Sequence, residues 1–410
     1  MKSEKLKIIN DPIYGFIQIP FESVFRLIEH PFFQRLRRIR QLGLTHLVYP
    51  GAHHTRFHHA MGSMHLMTEA IEVLRRKGHI IHDEEEEAVT IAILLHDIGH
   101  GPFSHALENS LVSFTTHEEL SDLFMERLND DLNNTLTLAI RIFRNQYSKK
   151  FLHQLVSGQL DMDRLDYLNR DSFFTGVSEG VISSDRIIKM LDIHNDELAI
   201  EAKGIYSIEN FIVARRLMYW QVYLHKTVVS AENLLIHILR RAKELLQNKI
   251  DLFATPSVKN FLSNNYTRQD FIKDRNLLDL FAALDDSDIS ASVKVWSTHS
   301  DKILSDLCTR LVNRKLFKII LQDKPFESKF VSDIREKVKK LSGVSDADTS
   351  YYLFQGMLVN NAYNSDLDKI NILFRDGSVC DITEAADTLN IKILSKPVEK
   401  YYLCFPDVNN

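Results

Sequence analysis

An adjacent histidine and aspartate, His96 and Asp97, are the residues of this sequence best placed for chemistry. They follow the apolar run 91–95, which predicts a buried helix. The glycines and proline of 99–102 predict that regular helix ends there. Both side chains are therefore delivered at the end of a core helix, where an ionised aspartate is costly unless it is paired or bound to a metal. A neutral imidazole beside a carboxylate suits a divalent cation.

Two further segments carry matching side chains. Eleven of the 18 histidines lie between His46 and His105. Upstream of the His-Asp pair lies the run Arg56-Phe-His58-His59, and downstream lies the run Asp161-Met-Asp163-Arg164-Leu-Asp166-Tyr167. A single histidine or helical aspartate is usually structural, so it is the joint pattern that indicates a metal site.

Together these segments resemble the HD-domain metal-dependent phosphohydrolases, whose four ligands are a histidine, a His-Asp pair and a distant aspartate. The resemblance implies that the metal ligands are His59, His96, Asp97 and Asp163. His58 offers the same imidazole one position earlier. His59 is preferred because its distance from Arg56 and Gly62 matches the family.

This ligand set mixes nitrogen and oxygen donors. It is compatible with one tightly bound Mn, Fe, Mg, Zn or Ni ion. A cation with an open coordination position lowers the pKa of bound water and polarises a phosphoryl oxygen. Hydrolysis at phosphorus is therefore the expected chemistry.

Further motifs resemble the deoxynucleoside triphosphate (dNTP) triphosphohydrolase branch, which includes the vertebrate SAM- and HD-domain enzyme and its bacterial relatives. These motifs are Gln41-Leu42-Gly, Gly51-Ala-x-His-x-Arg56-Phe, Gly-Pro-Phe-Ser-His105, Asp163-Arg164-x-x-Tyr167 and Tyr223-x-His-Lys226. The similarity covers about residues 5–245, and we expect no SAM domain before it. It implies that water attacks the α-phosphorus of a dNTP, releasing deoxynucleoside and inorganic triphosphate.

The resemblance also assigns catalytic roles. His105 would be the general acid on the departing 5′ oxygen, oriented by Glu108, where the family usually has aspartate. The phosphates and the water would be supported by His100, His117 and Glu118.

Substrate contacts follow from the same resemblance. The triphosphate would be held by Arg56, Arg164 and Arg215. The sugar would be read by Gln41, Leu42, Tyr167 and Asp171, with Tyr223 packed near sugar and base. The alternative for each is an ordinary salt bridge or a core aromatic.

A second nucleotide site is implied near the N-terminus. Positions that bind an activating guanine nucleotide between subunits in several relatives are matched by Lys7, Asn10, Gln34 and Arg37. Glu29 stands where an aspartate commonly meets the guanine edge. We therefore expect activation by dGTP or GTP in a homo-oligomer, a dimer or tetramer. The alternative is that Lys7 and the arginines of 35–40 form only a solvated surface.

The hydrophobic pattern predicts a mainly α protein: an HD-domain helical bundle with short β-hairpins and a small α+β C-terminal region. We expect an HD core over residues 1–250, with an N-terminal hairpin, the metal site and a long helix at 208–247. Residues 251–410 should be helical and then α+β, with strand-like runs at 370–374, 391–393 and 401–405.

Composition limits the other possibilities. The 410 residues contain three cysteines and no apolar run of about 18–20 residues, so we expect a cytoplasmic protein without membrane association. The net charge of −5 does not favour nucleic acid as a partner. Two alternatives remain: an HD-type phosphodiesterase or nucleotide phosphatase on another phosphoester, and a non-catalytic oligomeric nucleotide- or nucleic-acid-binding protein.

Overall fold

The computed structural model describes residues 2–104, 112, 115–360, 362–364, 368–387, 391–394 and 396–407. The fold is mainly helical with small sheets, as predicted. Its α-helices are α1 (Glu22–Glu29), α2 (Pro31–Gln34), α3 (Arg56–Arg76), α4 (Asp83–Leu95), α5 (His117–Asp131), α6 (Thr137–Phe143), α7 (Lys150–Val156), α8 (Met162–Thr175), α9 (Ser184–Met190), α10 (Ile205–Met218), α11 (Lys226–Gln247), α12 (Pro256–Ser263), α13 (Arg268–Lys273), α14 (Asn276–Ala282), α15 (Asp286–Trp296), α16 (Lys302–Val312), α17 (Ser328–Ser342), α18 (Ile382–Ala385) and α19 (Ile391–Leu394).

The strands form three small sheets. They are β1 (Lys2–Asp11), β2 (Gly15–Phe21), β3 (Leu191–His194), β4 (Glu197–Glu201), β5 (Lys318–Gln322), β6 (Phe354–Asn360), β7 (Asn371–Leu373), β8 (Val379–Asp381) and β9 (Val398–Phe405). β1 and β2 make the predicted N-terminal hairpin, and the second sheet has the order β3-β4-β7-β8. Because β7 pairs in parallel with β4, the C-terminal region adds strands to the β3–β4 hairpin at 191–200.

Three helices position the candidate site. α3 packs against both α4 and α8. Residues 88–95 of α4 are all buried, so this helix runs through the core. Gly62 of α3 permits a close approach to α8, because a Cβ there would lie 2.0 Å from Asp166 Oδ1 and 2.2 Å from Arg170 Nη2. This contact brings the start of α3 beside the start of α8.

The prediction of a single long helix at 208–247 is wrong. α10 ends at Met218, a π-helical turn covers Tyr219–Tyr223, and α11 starts at Lys226. His225 provides the new N-cap, since its ring accepts a hydrogen bond from the backbone N–H of Thr227. The apolar periodicity passes through this break unchanged, and π turns are frequent at functional sites.

The C-terminal region also differs from the sequence prediction in one element. The predicted strand at 391–393 is helical, in α19, whereas the run 401–405 does lie in a strand, β9. Short apolar runs do not separate strand from helix by periodicity alone.

The buried apolar side chains form a single cluster from Ile17 to Phe405, and the proposed division at residue 250 stays a prediction. Within the described ranges, no helix combines the length and apolarity needed to cross a bilayer.

Candidate active site

The four predicted metal ligands lie together. His59 Nε2 is 3.0 Å from Asp163 Oδ1 and 3.6 Å from Asp97 Oδ2. His96 Nε2 is 3.5 Å from Asp97 Oδ1 and 3.6 Å from Asp163 Oδ1. Ligand atoms that share an ion at about 2.1 Å are separated by roughly 3.0–3.4 Å in octahedral or tetrahedral geometry. The ligand atoms of His59, His96 and Asp163 therefore have the dimensions of one coordination site, and Asp97, which contacts both histidines, forms a second such group with His100 and His117.

Hydrogen bonds fix which nitrogen of each histidine faces the cluster. Nδ1 of His59 is 2.7 Å from Asp166 Oδ2, and Nδ1 of His96 is 2.6 Å from the carbonyl oxygen of Ile93. Both acceptors require a proton on Nδ1, which leaves the Nε2 lone pairs directed into the cluster. Both Nε2 atoms are buried, and among the described residues their near neighbours are the carboxylates of Asp97 and Asp163, as expected of residues that fit a divalent cation.

The same geometry separates His58 from His59. His58 Nδ1 accepts a hydrogen bond from the backbone N–H of Thr55 at 3.1 Å, so its ring caps the first turn of α3. His59 is fully buried. Burial alone would lower the pKa of His59, but the carboxylates of Asp163 and Asp166 raise it to about 10. The negative charge around this imidazole thus favours a cation, and metal binding displaces the proton.

A buried network supports His59 from behind. Asp166 also accepts hydrogen bonds from Arg170 Nε and Nη2, both at 2.9 Å. Arg170 Nη1 donates in turn to Asp11 Oδ2 at 2.8 Å. The N-terminal hairpin is therefore connected to the cluster through buried, paired charges, which orient the first ligand.

Arg56 holds Asp97 in its ionised form. Its Nη1 pairs with Asp97 Oδ2, and its Nε donates to Ser104 Oγ at 2.9 Å. Burial would raise the pKa of Asp97, but His96, Arg56 and His59 keep it well below its usual range. Arg56 therefore fits a role in positioning Asp97, besides its predicted role toward phosphate.

Arg35 belongs to neither the solvated nor the anion-binding surface considered for the arginines of 35–40. It is fully buried. Its Nη1 donates to the carbonyl oxygen of His100 at 2.8 Å, and its Nη2 donates to that of Ile98 at 2.6 Å. Two rigid donors of one guanidinium thus hold the turn that follows the His-Asp pair.

Arg35→Lys should destabilise the protein by about 1–3 kcal/mol, because a single ammonium cannot replace the fork and leaves a buried carbonyl unpaired. Urea unfolding measures this change. Arg26→Lys, at an exposed position on α1, is the matched control. Equal midpoints for both variants would contradict the role of Arg35.

A residue of the C-terminal region connects two loops at the site. Asp286, at the start of α15, accepts hydrogen bonds from the backbone N–H of Phe103 at 2.8 Å and of Arg40 at 3.0 Å. Phe103 and Ser104 have φ of 55° and 54°, in the left-handed region that side chains disfavour. Asp286 therefore stabilises a strained segment directly after the His-Asp turn.

Asp286→Asn should lower kcat/KM about 10- to 100-fold while metal content stays at the wild-type level. The amide keeps one acceptor oxygen but turns its NH2 toward the other backbone N–H, so the loop shifts relative to the cluster. Steady-state kinetics on metal-quantified protein measures this. Asp306→Asn, at a half-buried residue of α16 that pairs with Arg310, is the control, and a wild-type rate in Asp286→Asn would contradict the prediction.

A cavity of about 390 Å³ opens from the cluster. It is lined at the cluster by Arg56, Asp97, His100, His117 and Asp163, and further along by Gln41, Leu42, Tyr167, Asp171 and Tyr223. Among the described residues, the buried Oε1 of Gln41 has no hydrogen-bond partner, so it can accept a hydrogen bond from a ligand. The size is within the usual range for small-molecule sites.

Asp171 organises the aromatic wall of this cavity. Its Oδ1 lies 2.7 Å from His54 Nε2, and its Oδ2 accepts a hydrogen bond from the Tyr223 hydroxyl at 2.8 Å. The rings of Tyr167 and Tyr223 meet edge-on with centroids 6.0 Å apart. Asp171 thus fixes Tyr223 in addition to its predicted role toward the sugar.

Two predicted phosphate-binding arginines are outside the cavity lining. Arg164 pairs with Asp161, the N-cap of its own helix, and Arg215 Nη1 donates to Gln159 Oε1 at 3.3 Å. Both arginines nevertheless act electrostatically on Tyr167. Burial raises the pKa of Tyr167, and the positive charges of Arg164 and Arg215 oppose that rise.

The predicted catalytic residues fall into two groups. The rings of His100 and His117 are 3.8 Å apart, and His100 Nδ1 is 3.4 Å from Asp97 Oδ1. Glu118 is exposed, with Oε1 3.3 Å from His117 Nε2. The proposed acid and its partner, His105 and Glu108, lie outside the described residues.

The residues predicted for an activator lie on the outer surface and not in the cavity. Gln34 Oε1 accepts from Arg37 Nε at 2.9 Å, so these two are together. Lys7 Nζ lies 2.8 Å from the ring centroid of Phe25. The remaining two, Asn10 and Glu29, are exposed.

Residues that contribute to the site without a role assigned from the sequence include His54, Asp166, Asp286 and Glu232. His54 and Asp166 lie inside the quoted motifs, so a signal for them was present in the sequence. Asp286 and Glu232 lie outside every motif, and only the folded chain brings Asp286 to the loops beside the cluster and Glu232 to the cavity.

Comparisons with known proteins agree with this geometry. A family model of the HD domain matches residues 56–171, and one of the HD-associated region matches residues 182–255. The Bacillus subtilis protein YwfO is 33% identical over 362 residues, which cover 86% of this chain and 79% of YwfO. A crystal structure of a phosphohydrolase from Bacteroides thetaiotaomicron is 52% identical with a TM-score of 0.94, covering 98% of this chain and 100% of that one.

A further relative has an activity in its name. Human deoxynucleoside triphosphate triphosphohydrolase SAMHD1 is 28% identical over 294 residues, which cover 60% of this chain and 46% of SAMHD1. The helical core and the His/Asp cluster define an HD-domain hydrolase. This chain belongs to the HD-domain phosphohydrolase family, on the branch that is similar to the dNTP triphosphohydrolases.

Proposed function

We propose that this protein hydrolyses deoxynucleoside triphosphates to deoxynucleoside and inorganic triphosphate. The observation that carries the proposal is a single cavity with the His/Asp cluster at one end and the Tyr167–Tyr223–Asp171 wall beyond it. The triphosphate of a substrate needs the His/Asp cluster, and its nucleoside needs the wall. The activity in the name of SAMHD1 supports the same proposal.

A divalent cation held by the four cluster residues would polarise the α-phosphate and lower the pKa of a coordinated water. The chain itself contributes orientation. Asp166 fixes the ring of His59, and Arg56 keeps Asp97 ionised. The new bond joins the water oxygen to the α-phosphorus, the bond from phosphorus to the 5′ oxygen breaks, and that oxygen receives a proton, for which we propose His105 as donor.

Product analysis tests the proposal. Purified protein with Mn²⁺ or Mg²⁺ is incubated with each dNTP, and ³¹P NMR identifies the phosphorus products. We expect tripolyphosphate and deoxynucleoside in equal amounts. Pyrophosphate or orthophosphate would instead indicate an HD-type nucleotide phosphatase, and no turnover of any nucleotide would favour a binding protein.

We also propose a guanine-nucleotide activator site formed by Lys7, Asn10, Gln34 and Arg37 at a subunit interface, with Glu29 facing the base. Its exposed position and the Gln34–Arg37 pair support this placement. Addition of dGTP or GTP should raise the rate on a second dNTP and increase the mass measured by light scattering. Unchanged rate and mass would contradict it.

A further inference from the structure

Glu232 on α11 is an acidic side chain at the cavity that the proposed reaction does not use. It lines the cavity together with Gly43, Thr45 and Leu224. Among the residues that the structure describes, it has no hydrogen bond or ion pair. Burial raises the pKa of this carboxyl to about 7, and no charged neighbour contributes to the shift.

The packing of α11 separates Glu232 from the metal ligands. This helix makes its main contacts with α12, α16 and β5, whereas the ligands lie on or beside α3, α4 and α8. In the cavity lining, Glu232 is accompanied by Leu224, the residue that follows Tyr223. Glu232 therefore belongs to the part of the cavity that lies away from the metal ligands.

An acid in this position is unfavourable without a ligand. Glu232 is half-buried, and a carboxyl that loses part of its hydration without gaining a partner costs stability; such groups concentrate at functional sites. Phosphates bound at the cluster would direct a nucleoside along the Tyr167–Tyr223 wall, so its base would reach the end at which Glu232 lies.

We propose that Glu232 is a specificity-determining residue whose carboxylate accepts hydrogen bonds from the donor edge of the base, and that it therefore favours guanine. This inference rests on the proposed function, because it places the base relative to a triphosphate at the cluster.

The hydrogen-bonding edges of the four bases give the expected order. Guanine presents an N–H and an amino group side by side, which match the two oxygens of a carboxylate. Adenine and cytosine each present one amino group beside a ring-nitrogen acceptor. Thymine has one N–H between two carbonyl oxygens, which repel a carboxylate. We expect dGTP to be preferred to TTP by about 5- to 150-fold.

Binding and turnover of all four dNTPs test the inference. Equilibrium binding is measured on metal-stripped protein in EDTA, and kcat/KM on metal-loaded protein, for the wild type, Glu232→Gln and Glu244→Gln. The glutamine keeps the shape of the side chain. Glu244 lies on the same helix outside the cavity lining, where it pairs with Arg240 and Arg241, and makes a matched control. We expect Glu232→Gln to lower the dGTP-to-TTP ratio at least about fivefold, and Glu244→Gln to leave it unchanged.

The outcomes separate this inference from the proposed function. Equal binding of dGTP and TTP by the wild type, or an unchanged ratio in Glu232→Gln, overturns the role of Glu232 even if all four dNTPs are hydrolysed. A guanine preference in binding that depends on Glu232, without release of triphosphate, supports the inference and removes the proposed reaction. Absence of any dNTP binding overturns both.

Discussion

His59→Ala is expected to abolish stoichiometric metal binding and to lower hydrolysis at least about a thousandfold. His59 Nε2 has the shortest contact in the cluster, 3.0 Å to Asp163, and its lone pair is aimed inward by the bond to Asp166. Loss of a ligand removes the charge that stabilises the transition state, an effect of several kcal/mol, and each 1.36 kcal/mol is tenfold in rate.

Metal content by mass spectrometry and the rate of dNTP hydrolysis are measured together. His65→Ala is the control, because His65 lies on the same helix and its ring contacts half-buried Glu69 and Tyr14 in place of the metal ligands. Full metal occupancy and a wild-type rate in His59→Ala would contradict the assignment of this ligand.

Asp166→Asn is expected to weaken metal binding about 10- to 100-fold and to destabilise the protein by about 3–5 kcal/mol. The first effect follows because an amide at this position no longer fixes the Nδ1–H tautomer of His59. The second follows because Arg170, which is fully buried, loses one of its two carboxylate partners.

Metal titration and urea unfolding measure these two effects. Asp192→Asn provides the comparison, since Asp192 also pairs with an imidazole, that of His79 at 2.6 Å, but outside the site. If Asp166→Asn changed neither the dissociation constant nor the unfolding midpoint more than Asp192→Asn, the buried network would have no role in holding the metal.

The sequence predicts best those features that depend on local patterns. The apolar run before His96 and the glycines after it are sufficient to predict a core helix ending on the His-Asp pair. The hairpin at 191–200 was predictable for the same reason: Asn195 and Asp196 tolerate positive φ, and both adopt it. The fold class follows from such patterns.

Features that depend on contacts distant along the chain were not predictable. Asp286 binds the backbone N–H of Arg40 across 246 residues, and no motif contains it. Arg35 reads as one of several surface arginines, although its side chain is buried against two carbonyl groups. The π turn at Tyr219–Tyr223 leaves the apolar periodicity intact. The sequence therefore indicates one helix, whereas the structure has two, α10 and α11.

These contacts give the C-terminal region a defined relation to the site. In the structure, α15 contributes Asp286 to the loops at 40 and 103, and β7 extends the sheet begun by the 191–200 hairpin. Part of what shapes the cavity therefore comes from beyond the matched family regions.

The central claim is that four side chains from three separated segments hold one cation. Crystals grown with Mn²⁺ and measured at the manganese absorption edge test it directly. The account predicts one anomalous peak within about 2.0–2.3 Å of His59 Nε2, His96 Nε2, and carboxylate oxygens of Asp97 and Asp163. A peak elsewhere, or a cluster without any peak in protein that contains manganese, would contradict it.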